Sequence, residues 1–76
     1  MSATAQELDV RGLNCPLPIL RAKKALNGLQ NGQVLHIRAT DPGAVKDFDA
    51  FCKATGNELV SSEQSSEEYV FQIRKN

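Results

Sequence analysis

"LDVRGLNCPLPILRAKKAL", Leu8–Leu26, changes its hydrophobic period across a cysteine flanked by prolines. Ahead of the change, Leu8 and Val10 alternate with Glu7 and Asp9, the pattern of a half-buried strand. Arg11-Gly12 ends that strand. Beyond the change, Ile19, Ala22, Leu26 and Leu29 recur at helical spacing, with Leu20 and Ala25 beside them. A helix is therefore expected over Pro16–Leu29, stopped by the turn residues of "NGLQNG". The prolines at its start are not breakers. With Cys15 as the N-cap, Pro16 and Pro18 fall in the first turn, where backbone N–H groups have no intrahelical acceptor. Pro16 also biases Cys15 toward the extended dihedrals of an N-cap.

The remaining chain continues the alternation. "VLHIRAT", Val34–Thr40, reads as a strand with Leu35, Ile37 and Ala39 on one face and His36 and Arg38 on the other. In "TDPG", Thr40 or Asp41 is suited to cap a second helix and Pro42 to open it. Val45, Phe48, Phe51 and Cys52 form the apolar face of that helix, expected from about Gly43 to Ala54, with Gly56 as its stop. "NELVSSE" is a short third strand, "SEQSSEE" contains a turn, and "YVFQIRK" is a last strand with Tyr69, Phe71 and Ile73 on one face. The order is βαβαββ. A crossover through a helix makes the first two strands parallel, and a short loop makes the last two antiparallel. The expected fold is an α/β two-layer sandwich, a mixed four-stranded sheet with two helices on one face. The other sheet face, bearing Val34, His36, Arg38, Val70, Gln72 and Arg74, is expected to be solvated.

The chain has 76 residues, 41% hydrophobic and 24% charged, which suits a single small globular domain spanning residues 1–76. No apolar run is long enough to cross a membrane as a helix. Met1–Glu7 lacks the basic flank and apolar stretch of a secretory signal, so a cytoplasmic location is expected. Nine basic and nine acidic residues cancel. That balance argues against direct nucleic-acid binding, which draws on excess Lys and Arg. Two distant cysteines and one histidine make a poor metal set, and none is expected.

Cys15 is the residue with chemistry to offer. A sulfur at the positive end of the helix macrodipole, with the Leu17 N–H as donor, favours thiolate over thiol, and thiolates attack disulfides and persulfides. The alternative is a small buried hydrophobe in a loop. No base accompanies Cys15 in sequence, and His36 is expected to face away from the helices. A self-contained hydrolytic site is therefore disfavoured, and a carrier or acceptor role is preferred. Cys52 falls on an apolar face and reads as core. Arg21, Lys23 and Lys24 form a basic stretch beyond Cys15, either solvated or used for docking. Arg11 is nearer in sequence and is a candidate for electrostatic help. Asp9 reads as a loop-fixing hydrogen-bond acceptor, and Asp41 as a helix-start residue.

"LDVRGLNCPLPIL" also resembles the signature of the TusA/SirA family of small sulfur-carrier proteins. Asp9, Gly12, Cys15, Pro16 and Pro18 match that pattern. "KKAL" (Lys23–Leu26), "DPGAVKDFDAFC" (Asp41–Cys52) and "YVFQIRK" (Tyr69–Lys75) extend the resemblance over nearly the whole chain. It implies the same βαβαββ fold. It further implies that Cys15 accepts sulfane sulfur as a persulfide, without a cofactor, and relays it. The implied donor is a cysteine desulfurase or another sulfane-sulfur donor, the implied acceptor a downstream sulfur-relay protein, and one implied destination tRNA 2-thiouridine. A monomer forming transient complexes is expected. The alternative is a non-catalytic interaction or regulatory module that docks partners on its open sheet face through His36, Arg38 or Arg74.

Overall fold

The structure, a computed structural model, describes residues 5–76. Met1–Thr4, part of the stretch read above for a secretory signal, lie outside the described residues. The elements are β1 (Ala5–Val10), α1 (Leu17–Asn27), β2 (Val34–Ala39), α2 (Ala44–Thr55), β3 (Glu58–Ser65) and β4 (Glu68–Arg74). The βαβαββ order is the one the periodicities imply. In the sheet the strands run β1-β2-β4-β3. β1 and β2 are parallel, with Val10 opposite Ala39, and β4 pairs antiparallel with both β2 and β3. The hairpin thus returns its second strand to the sheet centre, leaving β1 and β3 as edges.

One core lies between the sheet and the helices. Val10, Leu35, Ile37, Ala39, Phe71 and Ile73 come from the sheet, Ala22 and Leu26 from α1, and Ala44, Phe48 and Cys52 from α2. Phe48 and Phe71 are fully buried, their ring centroids 4.8 Å apart and tilted by 39°. The inward rows on the helices are narrower than the sequence implies. On α2 the row is Ala44, Phe48, Cys52, at steps of four; Val45, one position round, is 40% exposed. On α1 it is Pro18, Ala22, Leu26, which leaves Leu17 and Leu20 45% and 54% exposed. Small Ala22, fully buried, sits at the middle of that row.

The helix boundaries differ modestly from expectation. α1 ends at Asn27 with Gly28 as its C-cap, so Leu29 joins the core from the following turn. α2 begins at Ala44 with Gly43 as N-cap, which places Pro42 outside the helix. Asp41 nonetheless organises that start. Its carbonyl accepts the Ala44 N–H at 2.9 Å and its Oδ1 accepts the Gly43 N–H at 3.1 Å. β3 is longer than the expected short strand, because Ser61–Ser65 pair with β4 in spite of polar side chains. A register shift between Leu59 and Ser61 interrupts that pairing and leaves Val60 exposed.

Gly56 ends α2 in the left-handed conformation, φ 82°, and its N–H returns to the Cys52 carbonyl at 2.9 Å. A Cβ there meets open space, so backbone conformation alone sets the cost. Gly56→Ala is expected to destabilise the fold by roughly 1–2 kcal/mol. Urea denaturation checks this, and an unchanged midpoint would mean the turn relaxes freely.

Candidate functional site

Parallel pairing brings the C-terminal ends of β1 and β2 side by side, so the β1–α1 and β2–α2 loops leave the sheet together. The first loop carries Cys15; the second holds it in place. Gly12, at φ 82°, turns the chain out of β1 and donates its N–H to Thr40 Oγ1 at 2.9 Å. The Cys15 N–H donates to Asp41 Oδ2 at 2.9 Å. Asp41 therefore joins the cysteine loop to the start of α2 with one carboxylate. Cys15 is exposed and unpaired, while Cys52 is buried. The exposed side chains of Leu17 and Leu20 follow it on α1.

The helix start differs from the sequence reading. Pro16, not Cys15, is the N-cap, and helical geometry begins at Leu17, so Pro18 falls one position earlier in the helix than expected. The Cys15–Pro16 peptide bond is cis. The Leu17 N–H, expected to serve the sulfur, is taken by the Asn14 carbonyl at 2.8 Å, and Pro18 has no N–H to offer. Pro18 is buried, so it is also a core contact and not only a helix-start device.

Electrostatics oppose the expected thiolate. The Cys15 thiol is pushed up from its ordinary value, first by hydrogen bonding to the Asp47 carboxylate, then by desolvation, then by the charges of Asp47 and Asp41. A carboxylate only accepts hydrogen bonds, so it favours the protonated thiol and repels the anion. Asp47 lies in the first turn of α2. Sequence reasoning missed the influence of Asp47 on Cys15, because nothing in local spacing signals a proximity made through sheet topology. The Cys52 thiol is pushed up to about 11, mainly by burial and secondarily by the Asp49 charge.

Arg11 does not serve the sulfur. Its guanidinium grips Asp9, with Nε to Oδ1 at 2.8 Å and Nη2 to Oδ2 at 2.7 Å, and reaches Glu68 at 3.2 Å. The Arg11 N–H also donates to Asp9 Oδ1 at 3.0 Å, which closes the turn leaving β1. Arg38 joins from the open sheet face, 2.9 Å from Glu68. Asp9 is held well below the usual carboxylate range by hydrogen bonds from Arg11, and Glu68 is lowered chiefly by Arg38. Since both values fall on folding, their contribution is complete above the ordinary values of 3.8 and 4.5 and disappears as pH drops through the lowered ones. Asp9, Arg11 and Arg38 are exposed to solvent and Glu68 is half-buried, which limits the effect. Asp9→Asn is expected to flatten the acid limb of the Tm–pH profile below about pH 4. An acid limb identical to the parent's would show that the pairing adds nothing.

The basic stretch on α1 is spread out by the helix. Arg21, Lys23 and Lys24 are all exposed and form no ion pair among the described residues. Lys24 borders a groove with Gln6 and Glu7, at the beginning of β1, toward the end of the fold away from Cys15. On the open sheet face, Glu7, Asp9, His36, Arg38 and Val70 line a depression of about 260 Å³. Arg38 there is committed to Glu68, and Arg74 to Glu58. Among the described residues no group of three His, Cys, Asp or Glu side chains is placed to hold a metal ion. Nor is any described helix long and apolar enough to cross a membrane.

Fold and site together define a class: a small α/β protein that presents one exposed cysteine on a loop clamped at the end of two parallel strands. The chain belongs to the sulfurtransferase TusA family, whose profile matches residues 6–75. It is 66% identical over 70 residues to the sulfur carrier protein TusA of Allochromatium vinosum, with 92% of each chain covered. It is 40% identical over 68 residues to the sulfur carrier protein TusA of Pseudomonas entomophila, covering 90% of this chain and 85% of that one. Its fold matches the crystal structure of a SirA-like protein from Desulfitobacterium hafniense with a TM-score of 0.79. That match covers 90% of this chain and 93% of the other at 24% identity, a likeness of fold.

Proposed function

We propose that this protein is a sulfur carrier in which Cys15 accepts a sulfane sulfur and passes it to another protein. The observation that carries the reading is the exposed, unpaired Cys15 on its clamped loop, set against a buried Cys52. The relatives' description as sulfur carrier proteins supports it. The Cys15 thiol first loses its proton to solvent. The thiolate then attacks the outer sulfur of a donor persulfide, R–S–SH, the donor S–S bond breaks, and R–S⁻ leaves. The product is Cys15–S–SH, with no net oxidation. An acceptor thiolate attacks the outer sulfur in turn and releases the Cys15 thiolate.

The donor is a cysteine desulfurase or another protein bearing sulfane sulfur, and the acceptor a further relay protein. Thiolation of tRNA uridine is one destination of such a relay. The reducing cytoplasm suits a protein whose two cysteines are both free. A monomer presents Cys15 to donor and acceptor in succession.

The test is intact-mass spectrometry after incubation with a cysteine desulfurase and cysteine, without reductant. The expected result is the gain of one sulfur atom, mapped to Cys15 and removed by reductant. If no mass is gained from several sulfane-sulfur donors while Cys15 still alkylates readily, the carrier reading fails.

A further inference from the structure

We propose that Asp41 is a positioning residue for sulfur transfer: it fixes the backbone of Cys15, so that the sulfur is presented to a donor protein in one place. The inference rests on reading Cys15 as the accepting thiol. It begins where the sheet ends. The β1–β2 ladder closes at Val10 opposite Ala39, so the amides beyond it need acceptors from elsewhere. The side chains of the two residues after Ala39 take over. Thr40 Oγ1 accepts the Gly12 N–H at 2.9 Å, and Asp41 Oδ2 accepts the Cys15 N–H at 2.9 Å. In effect the parallel pairing runs on past the strands, through side-chain acceptors, as far as the cysteine.

Within the loop the Cys15 contact has no substitute. The Leu13 N–H turns back to the Val10 carbonyl at 3.2 Å, the Leu17 N–H is bound to the Asn14 carbonyl at 2.8 Å, and Pro16 has none. Among the described residues, the Cys15 amide is thus the one backbone N–H between Gly12 and α1 that bonds another element. Asp41 is half-buried and uses both carboxylate oxygens on backbone donors, since its Oδ1 accepts the Gly43 N–H at 3.1 Å. Its carbonyl accepts the N–H of Ala44, which is fully buried, at 2.9 Å. The carboxylate is therefore held from the α2 side and grips the exposed cysteine from the other, with charge-assisted bonds at both ends. Sulfur transfer between two proteins needs the reacting sulfurs in line and close to contact, and a loop free to wander loses most such encounters.

The experiment follows single-turnover sulfur loading of Cys15 by intact mass, with a persulfidated cysteine desulfurase as donor over a range of concentrations. It compares the parent with Asp41→Ala, Asp41→Ser and Gly56→Ala, at a temperature where each is fully folded. A serine hydroxyl can accept the Gly43 N–H two residues on but has no second oxygen for Cys15, so it keeps the α2 start and separates the two tasks. Gly56→Ala acts at the far end of α2 and controls for lost stability. Both Asp41 variants are expected to lower the limiting loading rate about tenfold, with the half-saturating donor concentration within about twofold of the parent's. Hydrogen exchange at the Cys15 amide is expected to quicken about tenfold in both. Alkylation of Cys15 by iodoacetamide, a small reagent that needs no fixed approach, is expected not to slow. Gly56→Ala is expected to load at the parent's rate. A limiting rate unchanged in Asp41→Ser, or lowered equally by Gly56→Ala, overturns the proposal. So does a rise in the half-saturating concentration alone, which would make Asp41 a docking residue. A parent that gains no sulfur overturns the carrier reading instead, so the two failures are told apart.

Discussion

Cys15→Ser is expected to abolish sulfur loading, whereas Cys52→Ala is expected to leave it within about twofold of the parent. A hydroxyl replaces the thiol in the first variant with little change of volume, and the loop hydrogen bonds to Thr40 and Asp41 use backbone donors that serine retains. The fold therefore survives and only the nucleophile is lost. Alanine is the better probe at position 52, since a serine hydroxyl would enter a site that is 4% exposed and lined by apolar neighbours. Burial also keeps Cys52 protonated, its thiol pushed up to about 11. Loading that persists in Cys15→Ser, or disappears in Cys52→Ala with the fold intact, would move the acceptor role to Cys52.

The second large effect is on stability. Phe48→Ala is expected to cost about 3–5 kcal/mol, read as a fall in the urea midpoint at constant slope. Phe48 is fully buried and stacks against Phe71 of the central strand β4. Its removal leaves a void where α2 meets the middle of the sheet. Small domains lie toward the lower end of the roughly 5–15 kcal/mol typical of native proteins, so this loss takes a large part of the total. Val45, three residues earlier and partly exposed, is the comparison; Val45→Ala should change stability by no more than about 0.5 kcal/mol. Equal effects at the two positions would contradict the inward row Ala44, Phe48, Cys52.

The contrast between those two positions also shows how much the sequence carried. Alternation in Leu35–Ile37–Ala39 and in Tyr69–Phe71–Ile73, with helical spacing between, was sufficient for the βαβαββ order and most of the core. Those patterns are local, and burial enforces them. The motif residues were legible one at a time: Gly12 at the end of the first strand, Pro16 and Pro18 at a helix start, Asp9 in a loop. Their mutual arrangement was not. Asp41 meets the Cys15 loop only because parallel pairing puts two loops at the same end of the sheet. Glu68 meets Arg11 and Arg38 only because β4 inserts beside β2. The sign of the influence on Cys15 was misjudged for the same reason, since local reasoning counted the helix end and had no access to carboxylates from elsewhere in the chain.

The register shift in β3 bears on how the molecule behaves among copies of itself. β3 is an outer strand of eight residues, and an unbroken outer strand offers its free N–H and C=O groups to any similar chain. Here the irregularity at Leu59/Ser61 breaks the repeat spacing, and exposed Glu63 puts negative charge along the same border. Two such borders brought together would meet mismatched spacing and like charge. The chain is thereby discouraged from adding strands to itself, and the defence against aggregation lies on the edge opposite β1, outside the loops that hold Cys15.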